Sequence, residues 1–367
     1  MPKYGGTAGR VFIYAFIAAL SAYLIYSGTV TLNPIYTKSF VIITSLIITN
    51  TGILASREID AIAAKITKKF SRVKKVSILM VTITFLVSAI MTNDASLLIL
   101  IPITVEIGAM SRKSFLNTII MQIIAANVGS MITPFGNPQN IIIFLRYTPG
   151  ALNFIIGVLP AFTVSALLLF AFTFFFVKDG TLKTRYKAKK PHMPLFYASV
   201  SMFIIEVIGM LLGYDDYFFI VAIAISVCIL ALMRIPGSKR LGMLGRIDVM
   251  LITLFFLVFM AFGSLSPVIP LPKDNSVLYQ FIYAMLISQV ISNVPSAVLL
   301  KTFNFIPLLW GVNIGGNGSI IASLANVIGL RQTKDKRKYV SFIKISFLFL
   351  IINAAISALI ISLYEFI

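Results

Sequence analysis

Charge is scarce in this sequence: only 12% of its 367 residues are Asp, Glu, Lys or Arg, about half the share in an ordinary soluble domain. With 59% of the chain hydrophobic and a mean hydropathy of +0.97, a water-soluble enzyme is excluded. There is one cysteine, Cys228, and it lies in an apolar run, so no disulfide framework and no cysteine-rich metal site can be built. The one histidine, His192, lies in a basic stretch, which removes a multi-histidine metal site as well. Acids number 12 against 31 Lys and Arg, a formal net charge of +19. Such an excess can mark a nucleic-acid binder, but the apolar runs are too long for one. What remains is an all-α polytopic membrane protein whose principal partner is the lipid bilayer, with no nucleic acid involved.

About 20 apolar residues cross a bilayer as a helix, and the runs at 11–28, 39–55, 154–177, 195–213, 217–233, 249–266 and 340–364 meet that length. Gly5, Gly6 and Gly9 lead straight into the first run with no small-residue cleavage pattern after it, so no cleavable signal peptide is expected. Basic residues orient the spans, because Lys and Arg accumulate in cytoplasmic loops. Loop 56–75, the 178–194 linker, the 234–246 loop and the 331–338 loop carry most of them. Only Lys38, Arg146, Lys273 and Lys301 then fall outside. This places the chain in the cytoplasmic membrane with its N-terminus inside and its C-terminus outside. The run from Arg57 to Lys75 sets Ile59, Ile62, Ala63, Ile66 and Phe70 against basic residues at helical spacing, which predicts an amphipathic helix on the cytoplasmic interface.

Two stretches do not read as plain spans. Between loop 56–75 and Arg112–Lys113, both inside, two apolar arms meet at Thr92-Asn93-Asp94. Polar residues in the middle of such a stretch suit a re-entrant hairpin whose tip stops at depth, where protein or a watery cavity must surround it. The segment 276–304 repeats the pattern around Ser292-Asn293. Each hairpin is followed by an interrupted span, Asn127-Val128-Gly129 to Gly136-Asn137-Pro138-Gln139-Asn140 in the first case and Asn313-Ile314-Gly315-Gly316-Asn317 to Asn326 in the second. The two align without a gap: Asn127 with Asn313, Gly129 with Gly315, Thr133 with Ser319, Gly136 with Ala322, Asn137 with Ser323 and Asn140 with Asn326. The first runs inside to outside and the second outside to inside, the inverted-repeat plan of many secondary transporters. The predicted organisation is a first repeat over 1–177 (hairpin 76–111, broken helix 114–147), a cytoplasmic linker over 178–194, and a second repeat over 195–367 (hairpin 276–304, broken helix 305–330).

These residue types fit ion handling. Glycine lets a backbone unwind and approach closely, Pro134 and Pro138 stop helix continuation, and Asn, Ser and Thr offer neutral oxygens and amides to a hard cation or to freed backbone. Most of the acids lie in loops or at span ends. Asp94 does not, and a carboxylate at that depth must be paired, ion-bound or protonated. Glu206 also lies mid-span, where one reading has it carry protons, but it is outside the repeat core and reads first as a polar contact within the scaffold. No Lys or Arg is expected at the midplane, so an anionic substrate would be held by helix N-termini, amides and a co-bound cation.

The motifs Thr92-Asn93-Asp94-Ala95-Ser96, Asn127-Val128-Gly129 to Asn140, Ser292-Asn293-Val294-Pro295-Ser296 and Asn313-Ile314-Gly315-Gly316-Asn317 resemble the ion transporter superfamily. That group holds arsenite permeases, citrate and divalent-anion symporters, and Na⁺/H⁺ antiporters. The resemblance spans roughly residues 39–364. It implies a scaffold part, a transport part that carries both hairpins and both broken helices in elevator-like movement, a homodimer, and an ATPase subunit as a further partner. The divalent-anion symporters carry Ser-Asn-Thr at both tips, whereas here the tips read Thr-Asn-Asp and Ser-Asn-Val, closer to the arsenite-permease branch. Two spans precede the first hairpin against three before the second.

The functional expectation is a secondary active transporter of a small anion or arsenite, coupled to H⁺ or Na⁺, rather than an enzyme. Asn93, Asp94, Asn127, Gly129 and Asn137 are expected to form one coupling-ion site, and Ser292, Asn293, Asn313, Gly315 and Ser319 the other. Substrate is expected between the tips, on Thr92, Asn93, Asn140, Asn293, Asn317 and Asn326. No cofactor is expected beyond the coupling ion, and any Na⁺ is transient. The alternatives are a Na⁺/H⁺ antiporter and a passive anion channel. An intramembrane enzyme is disfavoured, because no nucleophile–base set or metal-ligand cluster occurs at depth.

Overall fold

Capping side chains set many of the helix starts. Asn33 accepts a hydrogen bond from Ile35 N just ahead of Pro34, and Asn137 accepts one from Asn140 N just ahead of Pro138. His192 Nδ1, Asp215 and Asp248 accept from Leu195 N, Phe218 N and Leu251 N in the same way. Asn and Asp favour this position because they satisfy a backbone N–H that the helix leaves orphaned, and proline at the first turn has no N–H to lose.

A computed structural model describes residues 33–67, 70–111, 114–182, 190–233, 242–266 and 276–363. Within them lie fifteen α-helices and no sheet. The first half comprises α1 (Pro34–Ser56), α2 (Glu58–Thr67), α3 (Val73–Ile90), α4 (Asn93–Ser111), α5 (Leu116–Ser130), α6 (Pro138–Tyr147) and α7 (Ala151–Phe176). The second comprises α8 (Met193–Leu211), α9 (Asp216–Leu232), α10 (Val249–Leu265), α11 (Val277–Ile291), α12 (Asn293–Leu299), α13 (Phe305–Ile314), α14 (Leu324–Arg331) and α15 (Lys338–Ser362). Six of these helices are long and apolar enough to cross a membrane, and the chain is a multi-pass membrane protein. The predicted span 11–28, Lys273, and the pair Arg112–Lys113 lie outside the described residues.

The remaining predicted spans map onto α1, α7, α8, α9, α10 and α15. The largest shift is at α1, which begins at Pro34 rather than near residue 39 because the Asn33 cap and Pro34 start the helix more than a turn earlier. The amphipathic stretch needs a correction. Its helix, α2, ends at Thr67; Phe70 lies outside it, and α3 already begins at Val73. The reason is a competing backbone pairing, in which Val73 N donates to Gly180 O and Leu182 N donates to Ser71 O, with Arg72 and Asp179 in an ion pair at 3.3 Å. The start of the first hairpin is thereby tied to the segment after α7.

Helix α2 packs on α3 and α4, with Ala63 and Ala64 buried and Ile62 exposed. Burial pushes the Asp60 carboxyl up to about 6; Arg57 opposes the shift and Glu106 on α4 adds to it. A raised carboxyl makes its relative contribution to stability below the unfolded value, and that contribution is lost as pH rises through about 6. Asp60→Asn is therefore expected to melt higher than the parent at pH 7–8, with the difference vanishing near pH 4. Thermal denaturation across that range in detergent checks it.

The hairpin α3–α4 wraps the first half of the broken helix α5/α6, and α11–α12 does the same for α13/α14. Close approach is permitted by glycine at equivalent places. A Cβ on Gly129 would lie 2.2 Å from Phe85 O and 2.3 Å from Ser88 Oγ. One on Gly315 would lie 2.8 Å from Met285 O and 2.9 Å from Ser288 Cβ. Since Phe85 O is backbone, Gly129→Ala must push α3 from α5. Overpacking of this kind costs about 1–3 kcal/mol, readable as a lowered melting temperature.

The rest of the bundle frames these units. Helix α1 packs against α8, α9 and α10, while α7 and α15 flank the broken helices. Trp310 Nε1 donates to Gly157 O at 2.7 Å, joining α13 to α7, and Asn353 Nδ2 donates to Ser165 Oγ at 2.8 Å, joining α15 to α7. Large apolar side chains such as Leu167, Phe175, Leu232 and Leu359 point outward, as a hydrocarbon solvent requires.

Candidate functional site

Helix α5 stops at Ser130 and α6 starts at Pro138; α13 stops at Ile314 and α14 starts at Leu324. Most residues of both breaks are buried or half-buried, Ile321 being exposed, and a bilayer offers no water to freed backbone groups at depth. Asparagine side chains satisfy them. Asn140 Nδ2 donates to the carbonyls of Ser130, Met131 and Thr133 at 3.3, 3.2 and 2.9 Å. At the aligned position, Asn326 Nδ2 donates to Gly316 O and Ser319 O at 2.9 and 3.0 Å.

The same amides join the two breaks. Asn127 Nδ2 donates to Asn326 Oδ1 at 2.9 Å, and its counterpart Asn313 Nδ2 donates to Asn140 Oδ1 at 2.7 Å. Asn137 Nδ2 donates to Asn313 Oδ1 at 3.0 Å, and its counterpart Ser323 Oγ donates to Asn127 Oδ1 at 3.2 Å. Reciprocal contacts of this form, where i meets j′ and i′ meets j, are what a two-fold relation produces. Asn127, Asn137, Asn140, Asn313, Asn317 and Asn326 are all buried here.

Each hairpin tip is pinned to its own break. Thr133 Oγ1 donates to Ala89 O and Ser319 Oγ donates to Gln289 O, both at 3.0 Å. Asn93 N donates to Gly136 O at 3.0 Å, while Ser292 Oγ donates to Ala322 O at 3.3 Å. Ser292 takes φ 78° and ψ 156°, a conformation that favours glycine and costs a side-chain-bearing residue about 1–3 kcal/mol. Asn293 lies against Gly316, where a Cβ would come 3.1 Å from its Nδ2.

The tips differ in charge. Asp94 stands in the first turn of α4, where the aligned position of the second tip holds Val294. Its Oδ1 is buried and has no hydrogen-bond partner among the described residues. Next to the tip, Asn50 of α1 donates from Nδ2 to Thr92 Oγ1 at 3.1 Å, and Asn50 Oδ1 is likewise buried without a partner. Each orphaned oxygen is an acceptor that a proton or a small cation would complete. Arg146, in the last turn of α6, turns away from the centre to Tyr36 OH and Val298 O at 3.4 and 3.3 Å. None of the side chains that join the breaks or tips is basic.

The residues expected to bind the coupling ion and the substrate gather at the breaks or tips, but they sit there in different ways. Asn127, Asn137, Asn140, Asn313, Asn317 and Asn326 form the network; Gly129 and Gly315 face hairpin backbone; Thr92, Asn93, Asp94, Ser292 and Asn293 form the tips. Sequence reasoning passed over Asn50 and Gln289. Gln289 Nε2 donates to Gly315 O and Asn317 O at 2.6 and 2.9 Å, and its Oε1 accepts from Ser319 N at 2.8 Å. The signal for both was available, since a polar side chain within an apolar run is a functional candidate by default.

A family model described as citrate transporter (CitMHS) matches residues 9–305, a range that takes in both hairpins and the first broken helix. The chain belongs to the citrate transporter family. It is 33% identical over 296 residues to the uncharacterized transporter MJ0456 of Methanocaldococcus jannaschii, covering 78% of each chain. It is 28% identical over 314 residues to the inner membrane protein YbiR of Escherichia coli, covering 82% of this chain and 80% of the relative. A shorter match, 37% over 82 residues, is to the silicon efflux transporter LSI3 of rice, covering 22% of this chain and 16% of that one. Membership makes this chain one of a family of membrane transporters.

Proposed function

We propose that this chain is a secondary active transporter that moves a small anion or arsenite across the cytoplasmic membrane, with H⁺ or Na⁺ as the coupling ion. The observation that carries the proposal is Asp94: a carboxylate oxygen buried without a partner at a hairpin tip, beside breaks lined by amides. A charge in that setting is tolerated only when a proton or cation accompanies it, so its occupancy and the position of the tip are thermodynamically linked. The amide-rich centre supports a substrate recognised through oxygen and hydroxyl groups rather than by a fixed cation. Relatives named for citrate and for silicon are compatible with such a centre. In this reading the N-terminus is inside and the C-terminus outside, and two copies pair as a homodimer.

A Na⁺/H⁺ antiporter is the second reading, and Asp94 suits it equally. A thermal-shift screen of purified protein against arsenite, sulfate, phosphate, citrate, succinate and Na⁺ separates the two. Stabilisation by one of the anions or by arsenite, strengthened by Na⁺ or low pH, is expected. Stabilisation by Na⁺ alone would favour the antiporter.

A further inference from the structure

A second buried acid lies away from the breaks and tips. Glu206, on α8, is 0% exposed. Its Oε1 accepts from Ser45 Oγ at 2.6 Å and from Thr49 Oγ1 at 2.7 Å, both on α1, and Thr49 Oγ1 lies 2.8 Å from Ser226 Oγ on α9. Its Oε2 is buried and has no partner among the described residues. Among the described helices those packed most on α8 are α1 and α9, and those three hydroxyls are the polar groups they turn toward the carboxyl. The charged and titratable groups of these helices lie elsewhere. Lys38 donates to Gly213 O, His192 caps the start of α8, Asp215 and Asp216 begin α9, and Tyr197, Tyr217 and Cys228 are exposed. Among the described residues no counter-charge therefore faces Glu206, and an ionised form there is strongly disfavoured.

What neutralises it must be small. A narrow recess lined by Thr49, Ser199, Met202, Ser226 and Leu230 adjoins the hydroxyl chain, with no room for a water molecule in this conformation. A hydrated metal ion does not fit, and a bare one would find a single free oxygen, Glu206 Oε2, the others being engaged with one another. A proton fits. We propose that Glu206, with Ser45, Thr49 and Ser226, is a second proton-binding site, built into the helices that flank the transport machinery and loaded through the Ser226–Thr49 hydroxyl chain. A proton arriving at Ser226 Oγ displaces that hydroxyl's own proton to Thr49 Oγ1, and Thr49 passes its proton to Glu206 Oε1. Each hydroxyl gains one proton and loses one, and the carboxylate becomes a carboxylic acid. Thr49 directly precedes Asn50, whose amide holds Thr92 at the first tip, so the site lies one helix away from Asp94. The assignment does not need Asp94 to be a coupling group.

Infrared difference spectroscopy of the full chain in lipid films, titrated with pH in H₂O and D₂O, tests it. In an Asp60→Asn, Asp94→Asn background, at pH values above the ordinary carboxylate range, one protonated-carboxyl band should remain, appear as pH falls and shift in D₂O. Labelling with ¹³C-glutamate should move it, and Glu206→Gln should abolish it. Thr49→Val should leave the band in place and slow its appearance after a pH jump at least tenfold. A band that survives Glu206→Gln or ignores the glutamate label would overturn the proposal. So would a band that stays constant at every pH without exchange, or one that disappears when Na⁺ is added at fixed pH. The label shows in the chain that keeps Glu206 that the band belongs to a glutamate, so the assignment does not rest on the Glu206→Gln variant alone. Loss of this site would leave the flux assays on Asp94 untouched, and failure of those assays would leave the band untouched.

Discussion

Replacing Asp94 with Asn should reduce gradient-driven uptake at least tenfold and flatten its dependence on pH, while the protein still folds. The substitution keeps the shape of the side chain and removes the charge whose burial must be compensated. Asp94 Oδ1 has no hydrogen-bond partner, so no bond made by that atom is lost. Melting should therefore hold or rise. The decisive comparison is flux in proteoliposomes at several values of pH, with thermal denaturation of the same preparations as the control. Full pH-coupled flux in Asp94→Asn would remove the acid from the coupling mechanism. A collapse of both flux and melting would instead assign it a structural role.

Asn313→Leu is expected to do the opposite, unfolding more readily. Asn313 accepts from Asn137 Nδ2 and donates to Asn140 Oδ1, both across the junction between breaks, and also donates to Leu309 O. Leucine leaves these buried groups facing hydrocarbon. A buried polar group stripped of its partner costs about 1–3 kcal/mol, and neighbours that relax onto one another recover part of it. A loss of roughly 2–4 kcal/mol follows for the site as a whole. The two-fold relation makes a sharper demand. Asn127 makes the counterpart contacts to Asn326 and Ser323, so Asn127→Leu should lose a similar amount. If one substitution is neutral and the other severe, the network is not shared between the halves in the way the distances indicate.

Much of this was readable in advance because broken helices in lipid must solve a polar problem with visible residues. The Asn127–Asn140 and Asn313–Asn326 segments carry their amides at the same spacing, and the structure uses them at that spacing for the same bonds. Glycine at 129 and 315 was legible as a place of close approach, although what approaches is hairpin backbone. Contacts that depend on a third helix were not legible. Nothing in the run around Asn50 says that it meets Thr92, and Gln289 has only Ala89 as its counterpart, so the repeat itself hid it. The strained backbone at Ser292 was invisible for another reason. A serine there carries no signal for a positive φ, and only its surroundings impose one. The boundary of α2 was missed because a short pairing with Gly180–Leu182, more than a hundred residues on, outcompeted local helical periodicity.

The account stands or falls on coupled, concentrative transport. Proteoliposomes containing the wild-type chain, offered arsenite, sulfate, phosphate, citrate or succinate under an imposed H⁺ or Na⁺ gradient, measure it directly. At least one of these should accumulate inside to a concentration above that outside, and the accumulation should collapse when the gradient is dissipated. Equilibration to equal concentrations regardless of the gradient, or no movement of any of the five, would contradict it.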